Sequence, residues 1–183
     1  MSGVLRSWLG FLALAAGLVH VALVIGSPPA VAVVLLVVGA AEFTWGAITI
    51  ARPTPPVPRL ALAVAFAPVI GWALLLVIAG ADSLGPLTSG RQLFPMLIAS
   101  LFDLLVAGGL TALLRRSASH SNQDAAAPAA RESAPAHPIR RLVAVIVGAL
   151  LIGAITAPAL AATEAGSYLG PGTSVFDTGG HDH

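Results

Sequence analysis

Residues 15–53 read "AAGLVHVALVIGSPPAVAVVLLVVGAAEFTWGAITIARP", and their reading decides the fold. Two apolar runs flank "GSPP" (residues 26–29), a cluster that ends one helix and starts another, because proline lacks an amide donor and glycine accepts left-handed backbone. Each run is about 20 residues long, the length that carries a helix across a ~30 Å hydrocarbon core. The pair therefore predicts a transmembrane hairpin.

The same pattern repeats along the chain. Apolar runs over residues 8–26, 30–51, 60–81, 93–114 and 142–162 predict an all-α integral membrane bundle of five spans. Breaks at "RPTPPVPR" (residues 52–59) and "GADSLGPLTSGRQ" (residues 80–92) are rich in turn formers. Composition agrees: 57% of the 183 residues are hydrophobic and 9% charged, against about a quarter charged in soluble domains. Residues 1–114 are thus expected to form a four-helix membrane unit and residues 142–162 a fifth helix. Residues 115–141, which include "SNQDAAAPAARESAPAHP", are expected to form a disordered cytoplasmic loop, and residues 163–183 a flexible external tail.

All nine basic residues are arginine. Arg6, Arg52, Arg59, Arg115, Arg116, Arg131, Arg140 and Arg141 fall on one side in a five-span topology, and Arg91 on the other. The bias of arginine toward cytoplasmic loops then puts the N-terminus in the cytoplasm and the C-terminus outside, in a multi-pass plasma-membrane protein. Span five has a second reading. "RRLVAVIVGALLIGAITAPALA" has the layout of a secretory signal, with Ala159, Leu160 and Ala161 as a small-residue cleavage site.

The partner is the lipid bilayer, with a second copy or an envelope protein as a protein partner. A net charge of +1 argues against nucleic acid, whose phosphates demand a basic footprint. There is no cysteine, which excludes thiolate metal sites and cysteine nucleophiles. No hydrolase elbow, Walker loop, dinucleotide fingerprint or HExxH motif occurs, so no catalytic residues are assigned and an enzyme is not expected.

Chemistry concentrates at three intramembrane polar residues. His20, Glu42 and Asp103 lie in spans one, two and four; an aspartate at a helix centre costs about 2.5–3.5 kcal/mol on insertion scales, and such residues face the bundle interior. Their helical neighbours form small-residue stripes: Gly10, Ala13, Gly17 and His20; Gly39, Glu42, Gly46 and Thr49; Ser100, Asp103, Ala107 and Thr111. From the outer span ends, His20 lies ~9 Å deep, Asp103 ~15 Å and Glu42 ~18 Å, a descending ladder. Such a set serves a proton or cation path or a metal site. The other reading is that these groups lock helices together.

A second metal candidate ends the chain. His181, Asp182, His183 and the terminal carboxylate offer ligand groups suited to Cu or Zn, with Met96 as a soft ligand near the outer end of span four. The functional expectation is an accessory membrane protein that binds or handles a transition-metal ion at the outer face. The alternatives are a small proton- or cation-coupled transporter and a structural subunit of an envelope complex.

The histidine-bearing first span, the turn, and a second span with a polar residue ahead of a tryptophan resemble uncharacterised small polytopic membrane proteins of high-GC Gram-positive (actinobacterial) type. The closing "APALAATEAG" and "HDH" are similar to their short histidine-containing tails. That resemblance implies a link to envelope metal handling. This tail carries fewer histidines than the pattern.

Overall fold

Proline sets where three of the helices begin. In the computed structural model, which describes residues 3–83, 90–123 and 138–168, the chain forms α1 (Gly3–Ala22), α2 (Pro29–Ala51), α3 (Pro58–Ser83), α4 (Gly90–Gln123), α5 (Pro138–Ala161) and the short α6 (Glu164–Tyr168). Pro29, Pro58 and Pro138 each occupy a first helical position, where the missing amide is not needed and φ is already helical. Between α1 and α2 the chain turns through Gly26 at φ 83°, and the Ser27 hydroxyl donates to the Leu23 carbonyl at 2.6 Å.

The described residues form helices and no strand. Four helices are long and apolar enough to cross a membrane: α1, α2, the Leu93–Ser119 part of α4, and α5. The fifth expected span, α3, is helical throughout, with an apolar stretch over Pro58–Leu74. Large apolar side chains face outward, including Val33, Val37, Leu97 and Leu150, each at least 60% exposed. In water that surface would drive association; in lipid it is the expected exterior.

Several helix ends depart from the sequence expectation. α1 starts at Gly3 and ends at Ala22, earlier than the 8–26 span, because residues 23–26 form the turn. α4 runs to Gln123, into the segment expected to be a disordered loop from residue 115. Ser117 and Ser119 donate back to the carbonyls of Leu113 and Arg115, and the alanine and arginine around them are good helix formers. Likewise α5 begins at Pro138, ahead of residue 142. Beyond residue 162, expected to be tail, α6 is capped by Thr163, whose hydroxyl accepts from the Gly166 amide at 3.1 Å.

α1 is the most enclosed helix, packed by α2, α4 and α5, while α3 lies against α4 and more lightly against α2. Small residues bring α1 and α2 together as an antiparallel pair. A Cβ on Gly17 would stand 2.6 Å from the Gly39 carbonyl oxygen, and one on Gly46 would stand 2.7 Å from that of Gly10. Backbone meets backbone there, as the glycine stripes predict. α5 runs parallel to α1. The Trp8 indole donates to the Ala144 carbonyl at 3.1 Å and lies over Gly148, where any Cβ would collide with the ring.

These directions bring Arg6, Arg52, Arg59, Arg115, Arg116, Arg140 and Arg141 to one end of the bundle, since α1, α3 and α5 start there and α2 and α4 end there. Near that end Ala13, Ala61, Ala65, Val106 and Leu110 form one apolar cluster. Toward the opposite end Val19, Leu23, Leu35, Ala99 and Ala159 form another. The polar residues lie between them.

Candidate intramembrane site

Each stripe delivers its polar residue to the bundle centre. His20 is 1% exposed, Asp103 1% and Glu42 6%, and all three offer ligand atoms within 4.8 Å of one another. His20 Nδ1 and Glu42 Oε2 share a hydrogen bond of 2.7 Å. On the other side of the ring, Nε2 lies 4.0 Å from Asp103 Oδ2.

The ladder expected from depth alone is therefore drawn into a single cluster. Gly17 packs beside Gly39, so the backbones of His20 and Glu42 are offset by roughly six residues, or ~9 Å along the axis. Side chains lean toward the N-terminus of their own helix, and α1 and α2 run in opposite directions. His20 and Glu42 thus lean toward each other, and two long side chains close the gap. Asp103, on α4 between Ala99 and Val106, arrives at the far edge of the imidazole.

The cluster is incompletely satisfied. Glu42 Oε1 and Asp103 Oδ2 are buried without a hydrogen-bond partner, as is the hydroxyl of Thr49, one more member of the α2 stripe. An orphaned buried carboxylate oxygen carries a desolvation cost of about 1–3 kcal/mol or more, so such atoms mark strain or a missing ligand. Both ring nitrogens face carboxylates, Nδ1 toward Glu42 and Nε2 toward Asp103.

Beside the cluster is a hollow of about 120 Å³, lined by Glu42, Trp45, Val57, Ala61, Val64 and Asp103 among others. Trp45 shares this wall with Glu42, and its indole N–H donates to the Pro56 carbonyl at 2.8 Å. A second hollow of about 350 Å³, lined by Val34, Val38, Pro68, Trp72 and Met96, reaches none of the three polar residues.

Met96 packs on the apolar cluster of Val19, Leu23 and Leu35, away from the imidazole. His181, Asp182 and His183 lie outside the described residues. Sequence reasoning missed the part of residues 52–57, whose Pro56 carbonyl and Val57 side chain border the hollow. Its proline-rich composition announced a turn, and nothing in it announced a contact with Trp45. The small-residue motif Ala159-Leu160-Ala161 is helical in α5, with Ala159 fully buried.

Fold and site together define an all-helical protein with several helices fit to cross a membrane and a buried histidine–carboxylate cluster at its centre. No family model, curated protein or solved structure matches the chain.

Proposed function

We propose that this protein is a five-span membrane bundle that holds one divalent transition-metal ion, of the zinc class, between His20, Glu42 and Asp103. The N-terminus and the arginine-rich end face the cytoplasm. The observation that carries the reading is the meeting of three buried ligand side chains from three helices, with two carboxylate oxygens left unpartnered.

Distances fit the ion. Zinc bonds of ~2.0–2.2 Å in a tetrahedron put ligand atoms ~3.3 Å apart, so His20 Nε2 and Asp103 Oδ2 need to close by ~0.7 Å from 4.0 Å, and the rest of a set that lies within 4.8 Å draws in with them. Charge fits as well, since two carboxylates and a neutral imidazole cancel a dication in surroundings where net charge is costly. Imidazole and carboxylate favour Zn over Cu(I), which prefers sulfur. The role this reading assigns is metal handling rather than chemistry on a substrate.

The 2.7 Å contact between His20 and Glu42 also supports a second reading, a polar lock between α1 and α2 with no ion. Zinc titration of chelator-stripped protein in lipid nanodiscs separates the two. The metal reading expects one ion per chain, lost in Asp103→Asn and His20→Ala and kept in the His181→Ala/His183→Ala pair. Absence of stoichiometric zinc, or zinc that survives Asp103→Asn, leaves the lock.

A further inference from the structure

Access to the cluster is asymmetric. On the side of the α1–α2 turn, Val19, Leu23, Leu35, Ala99 and Ala159 pack as a plug, each at most 6% exposed. On the side of the α2–α3 connection, the 120 Å³ hollow touches both Glu42 and Asp103 and runs between α2, α3 and α4 to Val57 and Leu60. Those two rim residues are 60% and 61% exposed. The hollow is large enough for several water molecules, and its polar inner end gives them partners.

The rim is held by one tie. The Trp45 indole reaches the Pro56 carbonyl, 11 residues on, at 2.8 Å, and the next residue, Val57, is fixed at φ 38°. A β-branched residue rarely enters left-handed backbone, and it stays there only when its surroundings hold it. Val57 thereby projects over the hollow as part of its lining.

We infer that this hollow is the route by which cations reach the His20–Glu42–Asp103 cluster from the arginine-bearing end of the bundle, with Trp45 and the Pro56–Val57 segment as its gate. The inference rests on the metal reading for its cargo and on the cavity for its path. Breaking the tie frees residues 52–57 to relax and clears the mouth. The opposite face of the cluster stays closed while the plug is packed.

The absence of native cysteine makes the test clean. Ala61→Cys places a thiol in the wall of the hollow, and Ala99→Cys places one in the plug. The chain is reconstituted in vesicles and treated with an impermeant cationic methanethiosulfonate, which reacts with hydrated thiols, from either face in turn. The route expects labelling of Ala61→Cys only from the Arg52 face, none of Ala99→Cys, and slowing by Zn²⁺. Trp45→Phe should speed the reaction about five- to tenfold, the shift in open population expected from losing one net hydrogen bond.

Labelling of Ala61→Cys from the opposite face, or from neither face even with Trp45→Phe, overturns the route. An unchanged rate in a folded Trp45→Phe chain overturns the gate; should that variant not fold, the sidedness of Ala61→Cys labelling still decides the route. Bound zinc without labelling from the Arg52 face removes the route and keeps the site. Labelling from that face with no zinc bound removes the metal reading and keeps a water-filled cavity.

Discussion

Gly17 and Gly39 touch through their backbones, and that contact sets the register in which His20 meets Glu42. A Cβ on Gly39 would stand 2.8 Å from the Gly17 carbonyl oxygen and 3.1 Å from the His20 Cβ. Neither neighbour is the far end of a flexible chain, so a side chain here must push the helices apart.

Gly17→Leu should therefore destabilise the bundle by about 1–3 kcal/mol, the usual cost of overpacking, and disrupt the pair one turn away. Gly71→Leu is the control, because a Cβ at Gly71 meets nothing within 4 Å. Thermal unfolding in detergent checks both: a clear loss for Gly17→Leu and little change for Gly71→Leu. Equal losses would mean that the glycine contact does not set the register.

The pair itself is accessible to a double-mutant cycle. Removing His20 alone leaves Glu42 with two unpartnered oxygens in the interior, because Oε1 already lacks a partner. His20→Leu should thus cost more in the wild-type background than in Glu42→Leu. Polar pairs between membrane helices average about 0.6 kcal/mol and reach about 1.7. A buried pair at 2.7 Å belongs near the top of that range, and a coupling near zero would show that the contact contributes nothing to stability.

Val57→Gly tests the backbone at the mouth of the hollow. Left-handed backbone costs a non-glycine residue about 1–2 kcal/mol, and added glycine entropy in the unfolded chain takes back roughly 0.4–1. The difference predicts a net gain of about 1 kcal/mol, read as a higher unfolding midpoint. A loss of similar size would mean that apolar contacts of the Val57 side chain outweigh the strain at φ 38°.

Topology is checked with paired reporters. An enzyme active only outside the cytoplasm should work when fused after His183 and stay silent when inserted after Gln123. The reverse pattern inverts the orientation, and the same signal at both points removes one crossing between them.

Much of the bundle was legible because helical periodicity leaves a mark in sequence. The stripe Gly39, Glu42, Gly46 and Thr49 is the buried face of α2, joined by Leu35. The stripe Gly10, Ala13, Gly17 and His20 is likewise buried in α1. What those stripes withheld was convergence. Depth along separate helices gives a ladder, and only antiparallel packing tells that His20 and Glu42 lean toward each other. The extension of α4 to Gln123 was hidden because both hydropathy and helix propensity fall after Leu114, where three serines, a histidine and an asparagine follow the arginines. The Trp45 contact with Pro56 was hidden because a tertiary hydrogen bond across a chain reversal has no local signature.

The enclosure of α1 by α2, α4 and α5 has a consequence for biogenesis. Within this sequence α1 is made before α2, α4 and α5, so the innermost helix exists before its walls. Its hairpin partner follows at once and supplies Glu42 to His20, so the first pair is matched before α4 is made. Asp103 emerges some 60 residues later, a delay of ~3–12 s at ~5–20 residues per second. During that interval the edge of the imidazole that Asp103 comes to face lacks its neighbour from this chain.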